Sequence, residues 1–136
     1  MQRRSRIVRA IWAACLLLGA LNHARILVQH GLGWDYGGVG AASAIYWTSL
    51  TFIDPAVAAL LFLRPRIGVP LTVLLITTNV VHNVAVTALA AGNAAQRVEW
   101  LLSPQILAQV AFMLFVLATV RMAWPAEPSR QATRRT

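Results

Sequence analysis

Four long apolar blocks are the feature that most restricts how this chain can fold. They cover residues 7–31, 43–63, 69–91 and 100–122. Each block has the roughly 20 residues that a helix needs to cross the hydrocarbon core of a bilayer. Only 12% of the residues are charged, whereas soluble domains carry about 25%. The pattern therefore predicts an all-α membrane protein, in which residues 1–124 form an antiparallel bundle of four transmembrane helices.

The distribution of arginine predicts the orientation of these spans. Arginines precede the first block, separate the second from the third, and follow the fourth. The 31–42 loop has none, and the 92–99 loop has only Arg97, which Glu99 offsets. By the positive-inside rule, both termini and the 64–68 loop are cytoplasmic, and we expect a bacterial inner membrane. The net charge of +8 thus follows membrane boundaries and does not indicate nucleic-acid binding. Residues 125–136 lack apolar periodicity and are predicted to be a disordered, basic cytoplasmic tail.

The first span has a second interpretation. "MQRRSRIVRAIWAACLLLGALNHA" has the basic region, apolar region and terminal alanine of a secretory signal peptide, and its paired arginines are typical of the twin-arginine type. The apolar stretch continues through "RILVQHG" without a small-x-small cleavage site, which favours an uncleaved span. Cleavage would leave three spans and an outside N-terminus, and the intact mass of the protein would distinguish the two.

Polar residues within the spans fall mainly on one face of each helix. At about 100° per residue, each span has a stripe of polar and small residues. Lipid cannot satisfy amides or charges, so these stripes should face the bundle interior or another subunit. The helical rise places most of them in the outer half of the bilayer. The predicted ligand-binding or proton-linked residues are Arg25, Asp54, Asn79, His82, Asn83, Gln105 and Gln109.

Arg25 and Asp54 are the leading pair in this set. Helical side chains lean toward their own N-terminus, so the two would lean toward each other from oppositely directed spans. An unpaired charge at this depth costs at least a few kcal/mol. The pair is either a ligand or proton site or a structural ion pair, and Arg25 could instead snorkel to the outer surface. His82 is a proton relay, a ligand contact or a neutral hydrogen-bond donor. The asparagine and glutamine amides either form the polar walls of a binding site or make hydrogen bonds between helices.

The sequence has no paired-acid, Ser/His/Asp or metal-ligand pattern, so we expect no catalytic residues and no metal. Cys15 is the single cysteine and is predicted to be a small buried side chain. His23 and His30 could join His82 around a metal or haem, but their depths do not match. An enzyme acting on lipids is the weakest hypothesis, and the sequence leaves any cofactor open.

The segments "LLLGALNHARI", "FIDPAVAALLFLRPRIG" and "NVVHN" together resemble the DoxX-like small four-span membrane proteins. The matching positions are Gly19, Asp54, Arg64 or Arg66, and His82. Some members of that family work with quinone or thiol redox systems. The resemblance implies an accessory role in membrane redox chemistry.

Two functions follow as expectations. The first is binding or transport of a small molecule or proton that enters from the outer side, with a homodimer because one four-helix bundle is thin for alternating access. The second is a non-catalytic accessory subunit of a larger membrane complex. Both predict the lipid bilayer as the principal partner.

Overall fold

The computed structural model describes residues 2–125 and contains five helices. They are α1 (Gln2–His30), α2 (Ala41–Leu63), α3 (Pro65–Ala90), α4 (Ala94–Leu101) and α5 (Pro104–Ala123). All but α4 are long and apolar enough to cross a membrane. No strand occurs within residues 2–125. The all-helical, multi-pass prediction is confirmed, while the predicted tail lies outside the described residues from position 126 onward.

Helix α4 is the one element that the apolar blocks do not indicate. The side chain of Asn93 caps its first turn by accepting a hydrogen bond from the Gln96 N–H at 2.9 Å. Ser103 caps α5, and Pro104 occupies the first position of that helix, where proline is well tolerated. The fourth span therefore begins at Pro104 and not near Trp100, because the break between α4 and α5, capped by Ser103, divides the predicted block.

The four long helices pack in a ring. Helix α1 contacts α2, α2 contacts α3, α3 contacts α5, and α5 returns to α1. The core of the ring is apolar, with Trp12, Leu61, Val69 and Val116 almost fully buried. Large apolar side chains elsewhere on the same helices face outward, as they would toward lipid.

One end of the molecule holds the start of α1, the turn at Arg64 and the end of α5, and we call it the arginine end. Hydrogen bonds join three helices at this end. There the Ser5 hydroxyl donates to the Ala123 carbonyl at 3.0 Å, which links the start of α1 to the end of α5. Arg9 donates from Nη1 to the Leu61 carbonyl at 2.9 Å. That carbonyl would normally bond to the N–H four residues later, but position 65 is proline and has no N–H. The buried Arg9 guanidinium therefore satisfies an acceptor that α2 cannot.

The turn between α2 and α3 is also at the arginine end and is very tight. Arg64 is at once the C-cap of α2 and the N-cap of α3. Gly68, one turn into α3, lies so close to α2 that a Cβ atom there would be 2.5 Å from backbone atoms of Leu60 and Leu61. Only glycine allows this approach without a shift of the helices.

The opposite end, which we call the loop end, holds loop 31–40 and α4. The Tyr36 hydroxyl lies 3.2 Å from the Thr48 hydroxyl and so holds the loop against α2. The Trp34 ring stacks on His30 with centroids 4.2 Å apart. Both aromatic side chains are thereby fixed near the ends of the long helices.

Candidate functional site

Two adjoining cavities occupy the space between α1, α3 and α5. The first, which we call the aromatic cavity, has a volume of about 550 Å³ and opens toward the loop end, where Trp34, Tyr36, Trp47 and Trp100 line it. The second, the acidic cavity, has a volume of about 470 Å³ and contains Asp54. The two share four polar lining residues, Asn22, His23, Gln105 and Gln109. A polar wall thus runs from the loop end to the buried acid.

Asp54 lies in the middle of α2, directly before Pro55, and is only 7% exposed. Gly19 of α1 leaves room for its carboxylate, because a Cβ atom at position 19 would lie 3.2 Å from Oδ2. Within residues 2–125, the Asp54 side chain makes neither a hydrogen bond nor a salt bridge. The carboxylate instead faces the acidic cavity, so a bound group could supply the missing partner.

A cluster of amides links three helices beside the cavities. Asn83 donates from Nδ2 to Gln109 Oε1 at 2.6 Å and to Asn79 Oδ1 at 3.3 Å. The Trp47 indole donates to Asn83 Oδ1 at 2.7 Å. Asn83 is therefore fully engaged, and its bonds orient Asn79 and Gln109, both of which line the acidic cavity.

The structure brings together five of the seven predicted site residues. Asp54, Asn79 and Gln105 line the acidic cavity, Gln109 lines both cavities, and Asn83 lines the aromatic one. Gln105 is also shared between the cavities and lies one helical turn before Gln109 on α5. The grouping of these polar residues on the inner faces of α2, α3 and α5 accounts for their convergence.

Arg25 does not join this group, and the predicted ion pair with Asp54 does not form. Arg25 is exposed and lines neither cavity. The cavity-facing positions of α1 instead follow the true helical repeat through Gly19, His23 and Ile26. Because neighbouring residues differ by about 100°, Arg25 points well away from Ile26. The predicted polar stripe included position 25, but the Arg25 side chain points out of the bundle interior.

His82 lies beside the cavities without lining either one. Its ring packs against Tyr46 with centroids 4.7 Å apart and edge-on against Trp47 at 5.6 Å. The His82 Nε2 atom is buried and has no hydrogen-bond partner among the described residues. His82 therefore contacts the site through Trp47, which lines the aromatic cavity.

Two kinds of lining residue were missed by the sequence reasoning. His23 lines both cavities, and its spacing of four residues from Gly19 could have identified it, whereas Asn22, which also lines both, lies on the predicted polar stripe of the first span. Trp34 and Trp100 come from the loop and from α4, where no periodicity shows which way a side chain faces.

Within residues 2–125, no group of three His, Cys, Asp or Glu side chains could hold a metal ion. No family model, curated protein or solved structure matches the chain. The fold and the site therefore define its class by themselves: a multi-pass helical membrane protein whose polar side chains surround a cavity inside the helix ring.

Proposed function

We propose that the protein binds a small molecule in the two adjoining cavities, with Asp54 as the innermost contact. The observation that carries this proposal is the Asp54 carboxylate, which faces a cavity and has no partner among residues 2–125. A structural acid at this depth would be expected to pair with a cation or with donors, because an uncompensated charge there costs at least a few kcal/mol. A binding site explains why the partner is not part of the chain.

The proposed setting is a bacterial inner membrane, with antiparallel spans and both termini in the cytoplasm. The hydrogen bonds from Ser5 to the end of α5 and from Arg9 to the end of α2 support this arrangement. They place the arginine-rich start of α1 beside the Arg64 turn, and positive loops favour the cytoplasmic side. The cavities then open toward the outer face, so the ligand enters from outside.

Thiol labelling in right-side-out vesicles tests whether the cavities are wet. In a Cys15→Ala background, Asn79→Cys and Gln109→Cys place thiols on the acidic cavity, and Leu74→Cys places one on the outward face of α3. We expect membrane-impermeant methanethiosulfonates to label the two cavity thiols but not the lipid-facing control, because lipid excludes a charged reagent. Full protection of both cavity thiols would refute an accessible binding site.

Native mass spectrometry from mild detergent tests the ligand itself. We expect the wild-type protein to retain a small molecule that Asp54→Asn has lost, while both proteins keep the same helical circular dichroism. The same spectra report whether the protein is a homodimer, as transport through so small a bundle would require. Equal retention by the folded variant would remove Asp54 from the site.

A second candidate is an accessory subunit of a larger membrane complex. The amide cluster favours it, because Asn83 crosslinks three helices and would stabilise a bundle that binds nothing. The resemblance to DoxX-like proteins would imply a redox-linked version of this candidate. This candidate predicts co-purification with larger partners and protected thiols at both cavity positions.

A further inference from the structure

We infer that the ligand of the two cavities is an organic monocation with an apolar body, whose cationic group pairs with Asp54 and whose body contacts the aromatic cavity. This inference rests on the proposed function and adds the chemical class of the ligand. It follows from the charge of the lining, from the aromatic rings and from the groups that remain free to bind.

The charge of the lining selects a cation. Among residues 2–125, no arginine or lysine lines either cavity, and Asp54 is the only acid on their walls. The nearest predicted counter-charge, Arg25, lies outside both cavities. An anion would meet an unpaired carboxylate, and a neutral ligand would leave that carboxylate uncompensated. A single positive charge removes the penalty of a buried, unpaired ion.

The aromatic cavity offers ring surfaces to the body of such a cation. Trp34, Tyr36, Trp47 and Trp100 line it, and aromatic side chains supply large apolar contact areas. Two of the polar atoms on these rings are already used. The Trp47 indole N–H donates to Asn83, and the Tyr36 hydroxyl pairs with Thr48. These two side chains can therefore offer mainly their ring surfaces to a ligand.

The remaining lining offers apolar surface and amides near Asp54. Leu16, Ile76 and Phe112 supply apolar surface to the acidic cavity. The amides of Gln105 and Gln109 lie between the two cavities, and the lone pairs of their carbonyl oxygens can face a cationic group. Volumes of about 550 and 470 Å³ are within the range of sites that enclose small organic ligands.

Three probes that share one aromatic ring test the charge preference. They are benzyltrimethylammonium, its uncharged isostere neopentylbenzene, and benzenesulfonate, each titrated calorimetrically into the full chain in lipid nanodiscs. We expect the cation to bind the wild-type protein most tightly. Asp54→Asn should weaken it about tenfold or more, which corresponds to ~1.4 kcal/mol. The neutral probe should be affected little by this variant. Glu99→Gln is the matched control, because Glu99 is an exposed acid that lines neither cavity.

Reaction rates at a cavity thiol give a second readout that needs no equilibrium binding. At Gln109→Cys, the rate ratio of a cationic to an anionic methanethiosulfonate should fall when Asp54→Asn is added. An unchanged ratio, or a neutral or anionic probe that binds as tightly as the cation, would overturn the inference about charge. No detectable binding of the cation to the wild-type protein would also overturn it. Labelling of Asn79→Cys and Gln109→Cys would then still uphold an accessible site, whereas protection of both would refute the proposed function as well.

Discussion

Replacing Gly68 with alanine is expected to push α2 and α3 apart at the Arg64 turn. A Cβ atom at position 68 would lie 2.5 Å from the backbone carbon of Leu60 and the backbone nitrogen of Leu61, and ordinary contacts begin at 3.4 Å. The helices would have to separate by about 1 Å, because backbone atoms cannot rotate away as a side chain can. Leu61 and Val69, both fully buried beside this contact, would lose packing.

The magnitude follows from two opposing effects. Overpacking of this kind costs about 1–3 kcal/mol, whereas alanine is favoured over glycine inside a helix by about 1 kcal/mol. Because the clash is with backbone atoms, the overpacking cost should lie at about 2–3 kcal/mol, so we expect Gly68→Ala to lower the free energy of unfolding by about 1–2 kcal/mol. Gly33→Ala is the control, because that glycine is exposed, has no atom within 4 Å of its Cβ position and needs no positive φ. It should change the free energy of unfolding by less than about 0.5 kcal/mol.

The assay is reversible unfolding in mixed micelles, in which the fraction of sodium dodecyl sulfate is raised and helicity is followed by circular dichroism. Wild type, Gly68→Ala and Gly33→Ala are compared at the same total detergent. If Gly68→Ala is as stable as the wild-type protein while Gly33→Ala is neutral, the close approach of α2 and α3 is wrong.

Three further predictions use the same titration. Asn83→Ala removes three hydrogen bonds and should lower the free energy of unfolding by roughly 2 kcal/mol, against about 0.6 kcal/mol for the single bond lost in Trp47→Phe; equal effects would contradict the cluster. Arg9→Met leaves a carbonyl of α2 unpaired and should lower the free energy of unfolding by about 1–3 kcal/mol. Arg6→Met, at an exposed position, should leave it unchanged, and equal effects of the two variants would refute the capping role of Arg9. Asp54→Asn should leave stability unchanged or raise it, because it removes an uncompensated charge, and a loss above about 1 kcal/mol would show a structural role for the carboxylate.

Hydropathy and helical periodicity predict much of this molecule. The apolar blocks identify the four long helices because a span must be long and continuous. The inner face of α2 is also predictable, since Ser43, Asp54 and Ala58 recur at helical spacing and all three are buried. Helix α4, with eight residues, is too short and too charged for such a pattern and depends on its cap at Asn93.

The site was less predictable, because it depends on how faces meet. A small error in phase along α1 was enough to select Arg25 in place of His23 and Ile26. The aromatic lining comes from loop 31–40 and α4, where side-chain direction is set by turns and caps and not by a repeat. The partner of Arg9 could not be foreseen either: Pro65 shows that a carbonyl of α2 is free, but only the packing of α1 on α2 shows which donor reaches it.

The buried polar side chains at the arginine end are hydrogen-bonded whereas Asp54 is not, and this contrast supports a ligand at Asp54. At the arginine end, the side chains of Ser5, Arg9 and Thr72 are buried and each donates to a backbone carbonyl. Such bonds make a membrane-spanning interior stable, because no water is present to replace them. Asp54 is as well buried, yet its carboxylate has no partner within residues 2–125 and borders a cavity with amide walls. A chain that pairs Ser5, Arg9 and Thr72 but leaves an acid in the middle of α2 open to a cavity keeps that acid at a cost to stability. Binding of a cation is the function we propose to offset that cost.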